Sequence, residues 1–366
     1  MNDRSKTVLV AGAGPVGLAC ALELARLGRA VRIVDKKAGP STESKAIAVN
    51  SRSLDLLEPS GVTPRIVAAG VKVLRANLHS GDRRIATLDF SGLDHRYSFA
   101  MALPQSETEK LLAAELAERG VAVEWGTEMT AFGQDANAVH AVLVKDGRQE
   151  TLETPYLVGA DGAHSTVRHL LKLEFPGAAY ENLWQVLDVR MDGPWGHDEV
   201  NVRFLRDGGL FFAIPIPGEN LYRIAVNRPE EPAELAPTGT VIHETLWQSE
   251  FRIHHRVVGS FAMGRCFLCG DAAHIHSPAG GRGMNMGIED ATTLARRIVG
   301  GGVEGYAAQR LPIAKRVVAQ TDRLTRMAMI SKPLPRALRD TVVPIVTALP
   351  PVKRFLAREN MGLNTA

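Results

Sequence analysis

Thr7-Val8-Leu9-Val10-Ala11-Gly12-Ala13-Gly14-Pro15-Val16-Gly17 is followed by a stretch running to Leu27, then Gly28, then Ala30–Val34 closed by Asp35. Thr7–Ala11 is a short apolar run of β type. From Val16 to Leu27, Leu18, Leu22 and Ala25 recur at helical spacing, Gly28 suits the helix end, and Ala30–Val34 is a second β-rich run. The spacing predicts strand, glycine turn, helix, strand: a βαβ unit. The glycines have distinct physical tasks. Gly12 permits the tight turn, Gly14 lets main-chain N–H groups approach a pyrophosphate, and Gly17 lets the helix lie close to the sheet. Pro15 and Val16 open the helix, whose N-terminus carries partial positive charge. Asp35 and the adjacent Lys36 end the second strand, where an acid hydrogen-bonds a ribose diol and disfavours a 2′-phosphate. The ligand expected from these residues is therefore FAD or NAD.

Outward from this unit, Val71–Leu78 and Arg84–Phe90 read as strands about the turn Ser80–Gly81–Asp82. Gln105–Arg119 reads as a helix, with Ser106 and Glu109 at capping-box spacing. Val121–Trp125, Val139–Lys145 with Asp146–Gly147 at its end, and Tyr156–Gly159 read as further strands. Between Phe175 and Phe261 the β-type runs Trp184–Met191, Val200–Leu205, Leu210–Ile216 and Tyr222–Val226 recur with Pro/Gly turns, which suggests an antiparallel lobe. Glu230–Pro237 reads as a surface loop. The α/β texture returns after Arg265, and the chain beyond Arg282 is mostly helical, with Pro333–Pro335 and Pro350–Pro351 separating short helices. The expected architecture is α/β. A Rossmann-like nucleotide-binding domain over 1–72, 105–175 and 265–330 is interrupted by a β-sheet lobe over 73–104 and 176–264, and a helical segment follows over 331–366.

Composition narrows the function class. The 366 residues are 45% hydrophobic and 23% charged, with a formal charge of +3 and a pI near 8.8. No run of lysine and arginine makes a nucleic-acid footprint, so no nucleic-acid partner is expected. No apolar run approaches the ~20 residues that span a bilayer. Met1–Lys6 does not read as a leader, and the expected location is cytoplasmic. Three cysteines cannot build a disulfide framework. Cys266 and Cys269 form a C-x-x-C, but Arg265–Gly270 reads as a buried strand whose residues three apart face opposite sides, so two inert core thiols are expected. His254, His255, His274 and His276 lack the further ligands that zinc spacing requires, and no metal is expected. No G-x-S-x-G nucleophile elbow occurs.

Two later segments decide between the dinucleotides. Tyr156-Leu157-Val158-Gly159-Ala160-Asp161-Gly162-Ala163-His164-Ser165-Thr166-Val167-Arg168 resembles the D-G motif of flavoprotein monooxygenases. Gly270-Asp271-Ala272-Ala273-His274 resembles their G-D motif. The match continues through Pro278–Asn285 to Glu289-Asp290-Ala291, and includes Arg252–Arg256 and Leu103-Pro104-Gln105. Over nearly its whole length the chain resembles the single-component aromatic hydroxylases of the para-hydroxybenzoate/phenol hydroxylase family. That resemblance implies FAD, with Asp271 on the ribityl chain, Gln105 near the ribityl or phosphate region, and Asp161 and Gly281 in the cofactor site. Gly283, Met284 and Asn285 would meet the pyrimidine end of the isoalloxazine. A helix starting at Gly283 would also direct unpaired N–H groups at negative charge on reduced flavin. Pro278 would sit beside substrate and the reactive flavin edge. Lys45 stands where the family usually has arginine, and Arg282 where glutamine is common.

The family likeness further implies NADPH or NADH as a transient donor, with Arg168 as the candidate contact, and O2 and an aromatic, phenolic or polyketide-like molecule as substrates. Oxygen would add at flavin C4a to give the hydroxylating hydroperoxide. Phe211, Tyr222 and Arg203, with His95 and Tyr97, are the candidate pocket residues. Baeyer–Villiger insertion, epoxidation or dehydrogenation on the same fold is one alternative. A non-catalytic flavin- or ligand-binding protein is another. Larger phenol hydroxylases carry an added thioredoxin-like domain, for which this chain ends too soon. A homodimer is compatible with the family, and no sequence feature locates its contact.

Overall fold

The computed structural model describes residues 6–41, 46–278 and 280–364. Its first elements are the expected βαβ unit: β1 Val8–Ala11, α1 Pro15–Arg26 and β2 Val31–Asp35. They lie in a six-stranded sheet ordered Ala262–Met263, Cys266–Leu268, Leu157–Gly159, β1, β2, Val123–Trp125. All its pairings are parallel except that of the Ala262–Met263 edge. The central strands Val8–Ala11, Leu157–Gly159 and Cys266–Leu268 are buried at every position. Continuous apolar runs are what a strand covered on both faces requires. The helices Gln105–Glu118 and Gly283–Gly300 pack against α1. Gln105–Glu118 starts two residues earlier than a Ser106 cap would place it. Pro104 is the N-cap, without a side-chain cap, and Glu109 accepts a hydrogen bond from Gln105.

The second large sheet has eight strands in the order His274–Ile275, Val241–Val257, Gly177–Asp192, Leu221–Val226, Leu210–Pro215, Glu199–Phe204, Arg75–Ser80, Arg83–Asp89. Its pairs are antiparallel apart from Glu199–Phe204 with Arg75–Ser80. Two features escape a reading by periodicity. Val241–Val257 is a strand of 17 residues whose first six are mostly exposed and mix apolar with polar residues, so the alternation that signals a strand holds only from Leu246 to Ile253. A short helix, Pro232–Leu235, lies inside the stretch expected to be loop. Thr127–Gln134, Val139–Lys145 and Arg148–Thr154 form a separate meander, turned at Asp146 (φ 48°) and Gly147 (φ 72°). That is the Asp-Gly geometry of a tight hairpin. Long helices Tyr306–Ala328 and Pro333–Ala348, then Pro350–Asn360, complete the chain. No helix of the described residues is long and apolar enough to cross a membrane.

Candidate functional site

The glycine turn is held from two sides. Ala13 N–H donates to Asp35 Oδ2 at 2.7 Å and Lys37 N–H to Asp35 Oδ1 at 2.9 Å, so the acid ending β2 fixes the turn that ends β1. Gly12 has φ +101°, and a Cβ there would lie 2.3 Å from the Ala160 carbonyl oxygen; a Cβ on Gly17 would lie 1.9 Å from the Gly12 oxygen. Both glycines are demanded by the protein's own packing. Gly14 differs: a Cβ there would meet nothing within 4 Å. It is the N-cap of α1, with Pro15 behind it, and it faces open space at the positive end of a helix.

Distant segments converge on this mouth. A Cβ on Gly270 would come 2.8 Å from Val16 Cγ2, and one on Gly287 would come 2.4 Å from the same atom. The Gly270-Asp271 segment and the helix Gly283–Gly300 thus press on the first turn of α1, and Asp271 is exposed between buried Gly270 and Ala272. Gly283 opens its helix with no neighbour for a Cβ within 4 Å. Asp161 accepts from Val167 N–H at 3.1 Å through Oδ2, while Oδ1 is buried with no hydrogen-bond partner among the described residues. A fixed Asp35, an open Gly14, an orphaned Asp161 oxygen and an open helix start make a cradle whose donors and acceptors fit an extended FAD.

Other candidate residues are already engaged by protein. Gln105 accepts from Ala46 N–H at 3.2 Å and donates to Glu109 at 2.8 Å; burial raises the Glu109 pKa. Asn285 accepts from Asn50 N–H at 2.9 Å and donates to the Ala48 and Gly281 carbonyls at 2.8 Å, leaving its main chain as the part that can face a ligand. Met284 is buried; Lys36, Pro278 and Gly281 are exposed. Lys45 lies outside the described residues. Arg282 pairs with Glu359 at 2.5 Å, which ties the start of Gly283–Gly300 to the last helix and gives the arginine a task that glutamine could not match in charge.

The readings of Arg168, Phe211, Tyr222 and Arg203 are corrected. Arg168 is not open to a nicotinamide nucleotide. It is 3% exposed, donates to the Ala272 and Ala163 carbonyls at 3.0 and 2.8 Å, and lies 4.1 Å over the Phe175 ring, clamping the two motif segments together. Phe211, Tyr222 and Arg203 do not line the sheet face that meets the nucleotide-binding layer. Phe211 and Tyr222 belong to a core covered by Trp195 and Leu235; Tyr222 Oη donates to the Trp195 carbonyl at 3.3 Å, and Arg203 donates to the Gly81 and Leu235 carbonyls. Side chains alternate along a strand, so their neighbours Phe212, Arg223 and Val202 hold the other face. His95 and Tyr97 are tied to the helix Ser51–Leu57, through His95 Nε2 to Asp55 at 2.7 Å and Ser51 Oγ to the Tyr97 carbonyl at 2.6 Å.

Sequence reasoning missed Arg223. It is 3% exposed, grips Asp188 through both carboxylate oxygens at 2.6 and 2.7 Å, lies 5.1 Å from the Trp247 ring, and its Nη1 reaches the Ala46 carbonyl at 3.5 Å. It is a point where the large sheet touches the segment leading from Ala46. Asp290 was also missed. Fully buried, it accepts from Gly270 N–H at 3.2 Å, His274 Nε2 at 2.6 Å and Arg310 Nε at 2.7 Å. Burial alone would raise its pKa, but Arg310 and His274 hold the carboxyl below the usual range. The only signal was its place in the Glu289-Asp290-Ala291 stretch, since a lone acid in a helix reads as surface. Cys266 and Cys269 are buried; burial pushes Cys266 up to about 12, and Cys269 Sγ lies 3.1 Å from Tyr306 Oη.

Known proteins match this arrangement. Residues 5–321 match the family described as FAD binding domain. The 6-methylpretetramide 4-monooxygenase of Streptomyces rimosus is 35% identical over 374 residues, with 95% of this chain and 65% of the relative covered. The pentachlorophenol 4-monooxygenase of Sphingobium chlorophenolicum is 33% identical over 350 residues, with 88% and 65% covered. The chain spans just under two thirds of the length of these two relatives. Its fold superposes on the crystal structure of p-nitrophenol 4-monooxygenase from Pseudomonas putida with a TM-score of 0.86 at 23% identity, over 98% of this chain and 99% of that one. With the glycine turn, the Gly270-Asp271 segment and the start of Gly283–Gly300 gathered at one mouth, the chain belongs to the family described as FAD binding domain.

Proposed function

We propose that this protein is an FAD-dependent monooxygenase that hydroxylates an aromatic, phenolic or polyketide-like small molecule with O2 and electrons from NADH or NADPH, and that it works as a homodimer. The observation that carries the chemistry is the convergence of Gly12–Gly17, Asp35, Gly270-Asp271 and the start of Gly283–Gly300 at one end of the parallel sheet. Bound FAD would supply electron uptake from the nicotinamide and activation of oxygen. The chain's own residues do the rest. Main-chain N–H groups at Gly14 hold the pyrophosphate, Asp35 the ribose, and Asp271 the ribityl chain, while Asp161 Oδ1 supplies a further acceptor. The N-terminus of Gly283–Gly300 stabilises negative charge at the pyrimidine end. Pro278 shapes the edge where substrate meets cofactor. The inner face of the large sheet, with Arg223 held by Asp188, orients the aromatic ring and excludes water.

The test is direct. Purified protein should be yellow, carry one FAD per chain, and oxidise NADH or NADPH faster when the right phenol is present. One labelled oxygen atom from O2 should appear on the product's ring. A colourless protein that takes up no FAD overturns the assignment. Label in a ring-expanded lactone or an epoxide would keep the flavin chemistry and replace hydroxylation.

A further inference from the structure

One face of the eight-stranded sheet is apolar and incompletely covered. Val200, Val202, Phe212, Ile214 and Ala225 are half-buried, whereas their strand neighbours Asn201, Phe211, Ala213 and Ile224 are buried. Successive residues of a strand take opposite faces, so the uncovered surface belongs to the face that Arg223 shares, the one turned to Ala46. The charged pair set in this face is closed on itself. Arg223 is opposite Asp188 in the strand register, and its Nε and Nη2 meet the two carboxylate oxygens at 2.6 and 2.7 Å, with the Trp247 ring 5.1 Å away. Two further buried arginines on this side are treated alike. Arg282 pairs with Glu359 at 2.5 Å, and Arg339, 4.3 Å over the Phe204 ring, pairs with Asp340 at 2.8 Å. The face therefore carries cations without offering net positive charge.

We propose that Asp188 is a specificity-determining residue: by neutralising Arg223 it makes this face accept uncharged aromatic rings and turn away aromatic carboxylates. The inference rests on the reading of this face as the side where substrate sits. A carboxylate binds arginine best through two parallel N–H···O bonds. Here the Nε–Nη2 edge is taken by Asp188, and Nη1 looks toward the Ala46 carbonyl at 3.5 Å. A ligand carboxylate brought to Arg223 would lie beside Asp188, and like charges at such a distance disfavour keeping both ionised. It would also exchange water for walls of valine, phenylalanine and isoleucine, whose side chains donate no hydrogen bond to repay its lost hydration. A neutral ring system meets neither cost, and its carbon surface covers the half-buried side chains. A phenol accordingly enters with its proton, and the Arg223–Asp188 pair contributes shape and position instead of charge.

Calorimetric titration of the FAD-loaded full chain at about pH 7.5 tests this with matched ligands: a hydroxynaphthamide against the hydroxynaphthoate of the same substitution, and a hydroxybenzamide against the hydroxybenzoate. The neutral member of each pair should bind about tenfold or more tightly. Asp188→Asn keeps the shape and removes the charge, so it should improve carboxylate binding about tenfold or more and change amide binding less than about threefold. Asp188→Glu retains the acid and should retain the neutral preference, which a mere loss of packing would not predict. Wild-type protein that binds the carboxylates as tightly as the amides overturns the proposal without any variant, and so does a panel in which no neutral member binds. A folded Asp188→Asn protein with an unchanged preference removes Asp188 as the determinant. Calorimetry reads binding without turnover, which keeps the two readings apart. A neutral preference in protein that never oxygenates a ring leaves this inference standing and defeats the hydroxylase reading; hydroxylation with equal or tighter carboxylate binding does the opposite.

Discussion

Gly14 and Gly17 stand three residues apart in the same motif, yet they should fail in different ways. A side chain on Gly17 collides with the Gly12 carbonyl, so Gly17→Ala should lower the unfolding free energy by about 1–3 kcal/mol, as overpacking does, and weaken FAD binding as a consequence. Gly14 has φ −73° and open space in front of it. Gly14→Val should therefore leave the thermal melt of the apoprotein nearly unchanged and weaken FAD binding at least tenfold, by occupying the space where the pyrophosphate approaches the N–H groups. Flavin fluorescence titration alongside circular dichroism separates the two; equal loss of stability in both variants would refute the distinction. The cysteines make a second residue-level case. Cys20 and Cys266 are pushed up to about 12 by burial, which leaves almost no thiolate at neutral pH. A thiol-specific disulfide reagent should label none of the three in the native protein and all three after denaturation.

At the level of elements, the parallel sheet was legible because its three central strands are unbroken apolar runs and its helices carry glycine or proline at their ends. The inserted sheet was legible as a texture and not as a register. Phe211, Tyr222 and Arg203 were natural choices for a pocket by residue type, but a strand presents successive residues to opposite faces, and one position decides which face they take. Nothing local to Leu210–Pro215 or Leu221–Val226 shows which side will meet the nucleotide-binding layer; that follows from Arg223 reaching Ala46 across a sequence separation of 177. The strand Val241–Val257 was hard to read for a related reason, since its first six residues have no buried face and are held by pairing with Gly177–Asp192, while Trp247, Phe251 and Ile253 alternate with polar residues further on. Asp290 shows how elements are joined beneath the site. One carboxylate bonds the Gly270 main chain, His274 and Arg310, so it sets the height of the Gly270-Asp271 segment over α1. Asp290→Asn would leave Arg310, in a buried setting, paired with Glu289 as its one remaining acid partner among the described residues. The expected cost is about 3 kcal/mol in urea unfolding, together with at least a tenfold loss of FAD affinity. A variant that unfolds earlier yet binds FAD with unchanged affinity would confine Asp290 to stability.

Across the whole molecule, the chain passes from the parallel sheet at Cys266–Leu268 to the eight-stranded sheet at His274–Ile275, which pairs with Arg256–Val257, and just beyond it Thr325 Oγ1 of the helix Tyr306–Ala328 bonds Ser277 Oγ at 2.6 Å. His276 lies at this seam. Its Nε2 is buried without a hydrogen-bond partner among the described residues, and burial, with the nearby His274 and Arg282, lowers its pKa to about 4. In the unfolded chain the same imidazole titrates near 6.5. Between those values the unfolded state takes up a proton that the folded state refuses, so stability is complete above about pH 6.5 and falls as the pH drops toward 4. The sign is opposite to that of a histidine held charged by a carboxylate. It adds to the loss expected below about pH 4 as Asp290 and Asp340, held below the usual carboxylate range in the fold, take up protons. The full effect of His276 is on the order of 3 kcal/mol if the seam stays dry. Urea unfolding of the FAD-saturated protein at pH 7.5 and pH 5 should show this loss in part, and His276→Asn, which cannot take up the proton, should flatten the difference between the two pH values while leaving the carboxylate-driven loss below pH 4. An equal drop from pH 7.5 to pH 5 in both proteins would place the acid sensitivity elsewhere.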